Sequence, residues 1–497
     1  MKKRILSLIM AALCLVSTVF AITSCAKNDD NPDNGKTDTP IQTLDHLNGL
    51  DFGGEEINFA VVSSSVDDFN VRSIYVDEEG DDGDAVNSAI YARNQKIQTM
   101  LNVEIVIADD TTDSLTKHAK NALLGGSSDY DVLAARQYDD VQLALDGVVL
   151  DLDTLANEGA DYIKWDREYW ASSYIEALSF GGKHFWLTGD LCMRYTSGYY
   201  ALFVNTRHYN DILANEYGSI YDIVNNKEWT YDLLMEMAAK CYEDTNGNDT
   251  VDTEGDRLGM LLPVWDNTNG MAISAGVMFT RYDENGNPFS TFTNGNATLL
   301  SFVEKFNQLL RTEGVYSFKA PSYSYSEAMQ LFAAGEAVFV SARLNQAELF
   351  LRDMVDDYYV IPNPMLNKEQ GAYYTGVHDA INIYGINYCS EKVAATAATL
   401  EALAYESYYS VRPIYYDSFL KFKYTRDDKA ATMIDLMHDN VYTDFVFLWQ
   451  FSEEFGDMGM FLRNNVVTNK ASSNLKKVQD SWTKALEDIK LKISELE

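Results

Sequence analysis

Between residues 57 and 135 strand-type and helix-type patterns alternate, and this alternation restricts the fold more than any other feature of the chain. Ile57-Asn58-Phe59-Ala60-Val61-Val62 reads as a strand that runs out into Ser63-Ser64-Ser65. A helix is expected over 85–101, where Val86, Ile90, Ile97 and Leu101 share one face and Asn102 caps the end. Val103 to Ile107 alternates as a second strand, a helix follows near 113–124, and Tyr130 to Ala135 forms a third strand. Strand, helix, strand, helix, strand predicts an α/β layer on a mostly parallel sheet. Ligands of such sheets sit at the carboxyl ends of the strands. Ser64 and the segment Arg136 to Asp139 are therefore candidate rim positions.

The start of the chain points to a compartment. Lys2, Lys3 and Arg4 precede an apolar run to about Ile22, too short for a membrane span, so residues 1–24 read as a secretory signal peptide. Ile22-Thr23-Ser24-Cys25 resembles a bacterial lipobox, with Ile where Leu is usual, and this resemblance implies that Cys25 is acylated and held in the bilayer on the outer, extracytoplasmic face. Residues 25–49 are polar and rich in Asp, Asn and Pro, as expected of a disordered tether.

The 75 acidic residues outnumber 39 Lys plus Arg, giving a net charge of −36, which argues against nucleic acid as a partner. Solubility alone accounts for such acidity. Beyond Cys25 the mature chain holds Cys192, Cys241 and Cys389, with no CxxC spacing, so neither a disulfide framework nor a zinc site is implied and all three are expected to be buried. HExxH, GxSxG and GxxxxGK[ST] are absent.

Farther along, a strand over Ala201–Asn205 and a helix over 230–241 capped by Thr230 are expected. A hairpin about Asn285-Gly286 and a helix near 297–311 follow. Ser324 to Glu327 opens a helix that stops at Gly335 before the strand Ala337–Val340, and an amphipathic helix ends the chain.

Several of these segments resemble, in order, parts of the extracellular solute-binding proteins of ABC importers, of the sugar-binding lipoprotein type. They are Val86-Asn87 with Arg93-Asn94, Glu228-Trp229-Thr230, Phe332 with Gly335-Glu336-Ala337, Tyr359-Val360-Ile361-Pro362-Asn363-Pro364, and Tyr415-Tyr416-Asp417. The resemblance covers about residues 55 to 455. It departs at Tyr359, where Gly is usual, and at Glu336, where Lys is common. It implies a two-lobed, periplasmic-binding-protein-like (type II) α/β fold with a hinge: residues 50–165 with 380–435 as one lobe, and 166–379 with 436–497 as the other. It also implies a non-enzymatic, monomeric receptor that takes a carbohydrate, an oligosaccharide for preference, and passes it to permease subunits without a required cofactor. A secreted glycoside-active enzyme and a surface ligand sensor are the alternatives.

A sugar needs flat aromatics against its C–H faces and directed polar groups for its hydroxyls. Candidates near expected strand ends are Ser64, Arg136, Trp186, Trp265, Arg343, Tyr374, His378 and Asp379, whereas Trp229 and Trp482 read as core. The segment Asp244, Asn246, Asn248, Thr250, Asp252 and Asp256 resembles an EF-hand-like calcium loop, with Asp249 at the usual glycine position and the last acid one place late. A structural calcium ion and a metal-free acidic loop are both consistent with it.

Overall fold

The structure is a computed structural model that describes residues 43–62, 72–76, 84–111, 115–126, 129–291, 295–318, 324–421, 428–450, 452, 454–455 and 458–496. Cys25, the signal segment, most of the tether and Ser64 lie outside the described residues. Residues Leu44–Glu497 form one compact unit. None of its helices is long and apolar enough to cross a membrane, among the described residues.

The alternating opening folds as expected. Strand β1 (Glu55–Val62) pairs in parallel with β2 (Val103–Thr111) and with β3 (Val132–Arg136). The helix Ala85–Leu101 links the first two strands. Asp84 caps it by accepting from the Val86 and Asn87 amides, and Asn102 ends it in the left-handed region at φ 51°. Helix Leu115–Gly125 makes the second crossover.

The second sheet is assembled from the middle of the chain: β4 (Tyr200–Asn205), β5 (Leu258–Pro263), β8 (Val315–Phe318), β9 (Ala337–Arg343) and β10 (Tyr358–Pro362), in the order β10-β4-β9-β5-β8. A two-stranded hairpin, β6 (Thr280–Tyr282) with β7 (Pro288–Ser290), turns at Asn285-Gly286. β5 runs so close to the helix Tyr231–Cys241 that a Cβ at Gly259 would sit 2.0 Å from the Ala238 carbonyl oxygen, which is why a glycine is needed there.

The last strand, β11 (Asn382–Ile386), returns to the first sheet and lies antiparallel against β3, giving the order β11-β3-β1-β2. Three stretches of chain therefore pass between the sheets. One runs from Leu187, bridged to Tyr384, through the helix Met193–Ser197 to β4. A second runs back from β10 to β11 and is tied to the first by Tyr200 N–H to Gly376 O (3.0 Å) and His378 N–H to Gly198 O (3.0 Å). The third carries Val441, bridged to Thr375, and Asp444, whose carboxylate accepts from Thr280 N–H at 2.8 Å. Beyond it the helix Met458–Thr468 packs on the helices Val264–Ser274 and Ala297–Leu309.

Trp229 is wholly buried with its indole N–H on Pro362 O (3.0 Å), and Trp482 is buried as well, as their patterns indicate. Cys192 and Cys241 are buried; Cys389 is only half-buried.

Candidate functional site

The carboxyl ends of β3, β5 and β9 and the crossing strand before β11 carry most of the chemistry predicted for the site. Arg343 is the last residue of β9 and lies in register with Tyr200 at the start of β4. The Tyr200 ring in turn sits 6.2 Å from the His378 ring. Arg343, Arg194 and Arg463 all act on His378: burial first, then these three guanidinium charges, hold its pKa well below the ordinary imidazole value. Arg194 arrives from the first crossing segment, and Arg463 from the helix Met458–Thr468. Arg463 lies over the Trp265 ring at 4.2 Å and donates from Nε to the Trp265 carbonyl at 2.8 Å, so Trp265, just beyond β5, joins this group.

On the other sheet Arg136 ends β3. It is ion-paired with Asp139 and lies over the Tyr138 ring at 4.9 Å. The crossing strand touches this corner too, with Tyr138 N–H on Asp379 O (3.3 Å) and Gln137 N–H on Ile381 O (3.0 Å). Asp379 stands 3.6 Å from His378 Nδ1, and its carboxylate accepts from the Gln450 amide at 3.4 Å. Thus Arg136, Trp265, Arg343, His378 and Asp379 all sit at, or within a few residues of, strand ends joined by one crossing segment.

One expected contact is placed elsewhere. Trp186 is 1% exposed, and its indole N–H points to Val141 O at 3.3 Å. It is a core residue: its ring fills the space over Gly385 in β11, where a Cβ would meet it at 2.8 Å. Tyr374, at the start of the crossing strand, packs at a tilt against Tyr442 (4.8 Å between centroids) and against Gly276, beside the third crossing.

Beside Arg136, burial pushes the Asp140 carboxyl up to about 6, against hydrogen bonds from Thr116 N–H and Oγ to Asp140 Oδ1 (3.0 and 2.9 Å). A carboxyl raised in the folded state favours folding at pH below its unfolded pKa, and that contribution is lost as pH rises through about 6. Asp140→Asn keeps the Thr116 acceptor and removes the charge. Urea titrations are expected to show the variant gaining about 2–3 kcal/mol on the parent between pH 4 and pH 7.5.

In the segment 244–256, Asp249 adopts φ 58°, the left-handed conformation that glycine usually supplies at this place. The acids are taken up locally. Asp244 accepts from Gly247 and Asp249 N–H, and Asp252 from the Asn248 amide (2.6 Å) and Glu254 N–H (2.7 Å). Asp256, 2% exposed, accepts from Tyr242 Oη (3.1 Å) and Thr245 N–H (3.2 Å). Among the described residues no three His, Cys, Asp or Glu side chains are grouped to hold a metal ion. Asn246, Asn248 and Thr250 offer further oxygens, and the Asn246 and Asn248 amide nitrogens donate to Asp252.

No protein-family model and no curated protein matches the chain. Solved structures do match it over nearly their whole length. The GacH receptor of Streptomyces glaucescens, solved unliganded and with acarbose, aligns with a TM-score of 0.54 at 13% identity, covering 88% of this chain and 99% of that one. The galacto-N-biose-/lacto-N-biose I-binding protein of an ABC transporter of Bifidobacterium longum gives 0.54 at 13%, covering 88% and 98%. A sugar transporter of Rhizobium etli in an open conformation gives 0.53 at 14%, covering 87% and 99%. The chain has their fold. The mixed α/β, binding-protein-like class expected from the sequence is therefore the class observed.

Arg194, Tyr200 and Arg463 escape sequence reasoning. Tyr200 abuts a strand whose start reads as Ala201, and its partner Arg343 lies 143 positions away. Nothing in the spacing around Arg463 or Arg194 sets them apart from surface arginines.

Proposed function

We propose that this chain is the substrate-binding component of an ABC importer, which captures an oligosaccharide between two halves and hands it on unaltered. The observation that carries this reading is the gathering of Trp265, Arg343, His378 and Arg136 around the crossing strand 374–381, in a fold held in common with the acarbose, lacto-N-biose and sugar-transporter proteins above.

The halves we propose are one about each sheet, with the three crossing segments as the hinge; the boundary expected at 165/166 moves to the first crossing near Leu187, because Leu187 is bridged to Tyr384 and Trp186 packs on Gly385 in the first sheet. Trp265 supplies a flat apolar face for C–H groups, while Arg136, Arg343 and Asp379 supply donors and acceptors for hydroxyls. A ligand touching both halves stabilises the closed arrangement, which a permease then reads. Absence of a catalytic motif and likeness to binding proteins support a receptor that does no chemistry.

On this reading the chain is a monomer outside the cell, tethered through acylated Cys25. Membrane partitioning that persists in Cys25→Ser contradicts the anchor. For the loop 244–256 we propose closure by its own hydrogen bonds, with calcium binding only if the Asn246 and Asn248 amides turn over.

A thermal-shift panel of mono- and oligosaccharides tests the function. Ligand at 100 times its Kd adds about 2.7 kcal/mol to stability, a rise of several degrees in Tm. A panel with no such rise, or accumulation of reducing ends during incubation, speaks against the receptor. A Tm that rises with millimolar calcium and falls back with EGTA speaks against the self-closed loop.

A further inference from the structure

Several arginines of this chain are matched by acids. Arg136 pairs with Asp139, Arg207 with Asp356, Arg257 with Glu243 and Arg412 with Asp190. The buried Arg93 is instead satisfied by carbonyls and an amide oxygen. Arg343 differs. Its guanidinium lies 5.3 Å from the Tyr325 ring centroid, and its Nε, like that of Arg136, is buried without a hydrogen-bond partner. No carboxylate pairs with it among the described residues. Its main-chain N–H is held by Gln346 Oε1 at 3.0 Å, which fixes the turn that presents it.

Two further observations make this a site for negative charge. Burial first, and then the guanidinium charges of Arg343, Arg194 and Arg463, hold the His378 pKa below the ordinary imidazole value, so three cationic groups act on one place within a chain of net charge −36. The acid nearest His378, Asp379, accepts from the Gln450 amide, so one carboxylate stands against the three guanidinium groups. A partly desolvated guanidinium without a counter-ion is unfavourable, and its planar fork suits a carboxylate or sulfate oxygen pair. In the turn just after it, Asn345 Oδ1 and Gln346 Nε2 are also buried without partners.

We propose, resting on the saccharide-binding reading above, that the ligand is an acidic saccharide bearing a uronate carboxylate or a sulfate ester, and that Arg343 takes the anionic group.

Calorimetric titration of the full chain tests this with four sets of probes: uronate di- and trisaccharides, their methyl esters, sulfated disaccharides, and neutral maltotriose and xylotriose. An acidic probe is expected to bind at least about 30-fold more tightly than its ester or the neutral sugars, since removing one partner of a desolvated charge pair has effects of this size. The uronate and sulfated arms tell the two sources apart. Arg343→Gln is expected to abolish that preference while the melting temperature of the free protein stays within about a degree or two, because the side chain has no other polar partner. Arg343→Lys is expected to restore only part of it, as a point charge without the fork. Neutral sugars or esters binding as tightly as the acids overturn the inference and leave the saccharide receptor standing, as does an acidic probe that binds Arg343→Gln unchanged. Failure of every saccharide overturns both.

Discussion

Arg93→Met is expected to destabilise the protein by about 3–5 kcal/mol, the cost typical of breaking a buried charged network. Arg93 is 2% exposed on the inner face of the helix Ala85–Leu101. Its guanidinium donates to Ser73 O (2.9 Å), Ile74 O (2.8 Å), Ser407 Oγ (2.9 Å) and Asn94 Oδ1 (3.0 Å from Nε, 2.8 Å from Nη2). Burial lowers its pKa to about 10, which still leaves it charged at neutral pH. Methionine keeps most of the apolar stem but strands two carbonyls, a hydroxyl and an amide oxygen away from water. These groups come from three stretches of chain, around 73, 94 and 407, so local relaxation cannot re-pair them all. Urea unfolding read by circular dichroism measures the loss; a change under about 1 kcal/mol would show that Arg93 is not the tie between those segments.

Trp265→Ala is expected to weaken saccharide binding about 30- to 150-fold, or 2–3 kcal/mol, the range of an aromatic hot spot. Trp265 is half-buried at the mouth beyond β5, held by Arg463 over its ring and by the Arg463 bond to its carbonyl. Alanine retains that carbonyl, so the helix Met458–Thr468 keeps its anchor and the free protein is expected to unfold normally. Calorimetry with whichever saccharide raises Tm most gives the ratio. Affinity within threefold of the parent would remove Trp265 from the contact surface. The same substitution at Trp186 is expected to damage folding instead, since that ring lies inside the core.

The contrast between these tryptophans shows what the sequence can carry. Both stand next to strand-like segments, and local pattern does not separate them. Their difference comes from Gly385, nearly 200 positions downstream, whose missing side chain makes room for the Trp186 ring. By contrast β1, β2 and β3 were readable because alternation and helical periodicity are local, and the strand end at Arg136 followed from them, whereas β9 runs three residues past the expected Val340 to end at Arg343. The resemblance implies that the chain returns to the first lobe near 380, but the antiparallel pairing of β11 with β3 was not readable, since pairing across such a separation is set by tertiary packing. Arg194, Tyr200 and Arg463 entered the site by that same long-range assembly, so the polar half of the cleft became visible only in three dimensions.

Native mass spectrometry after incubation with a mixture of acidic and neutral oligosaccharides puts the whole account to its most direct trial, because one spectrum reports both capture and integrity of the guest. One intact saccharide per chain, at its unchanged mass, is the predicted result. A spectrum of bare protein accompanied by shortened sugars, or of bare protein alone at millimolar ligand, would contradict it.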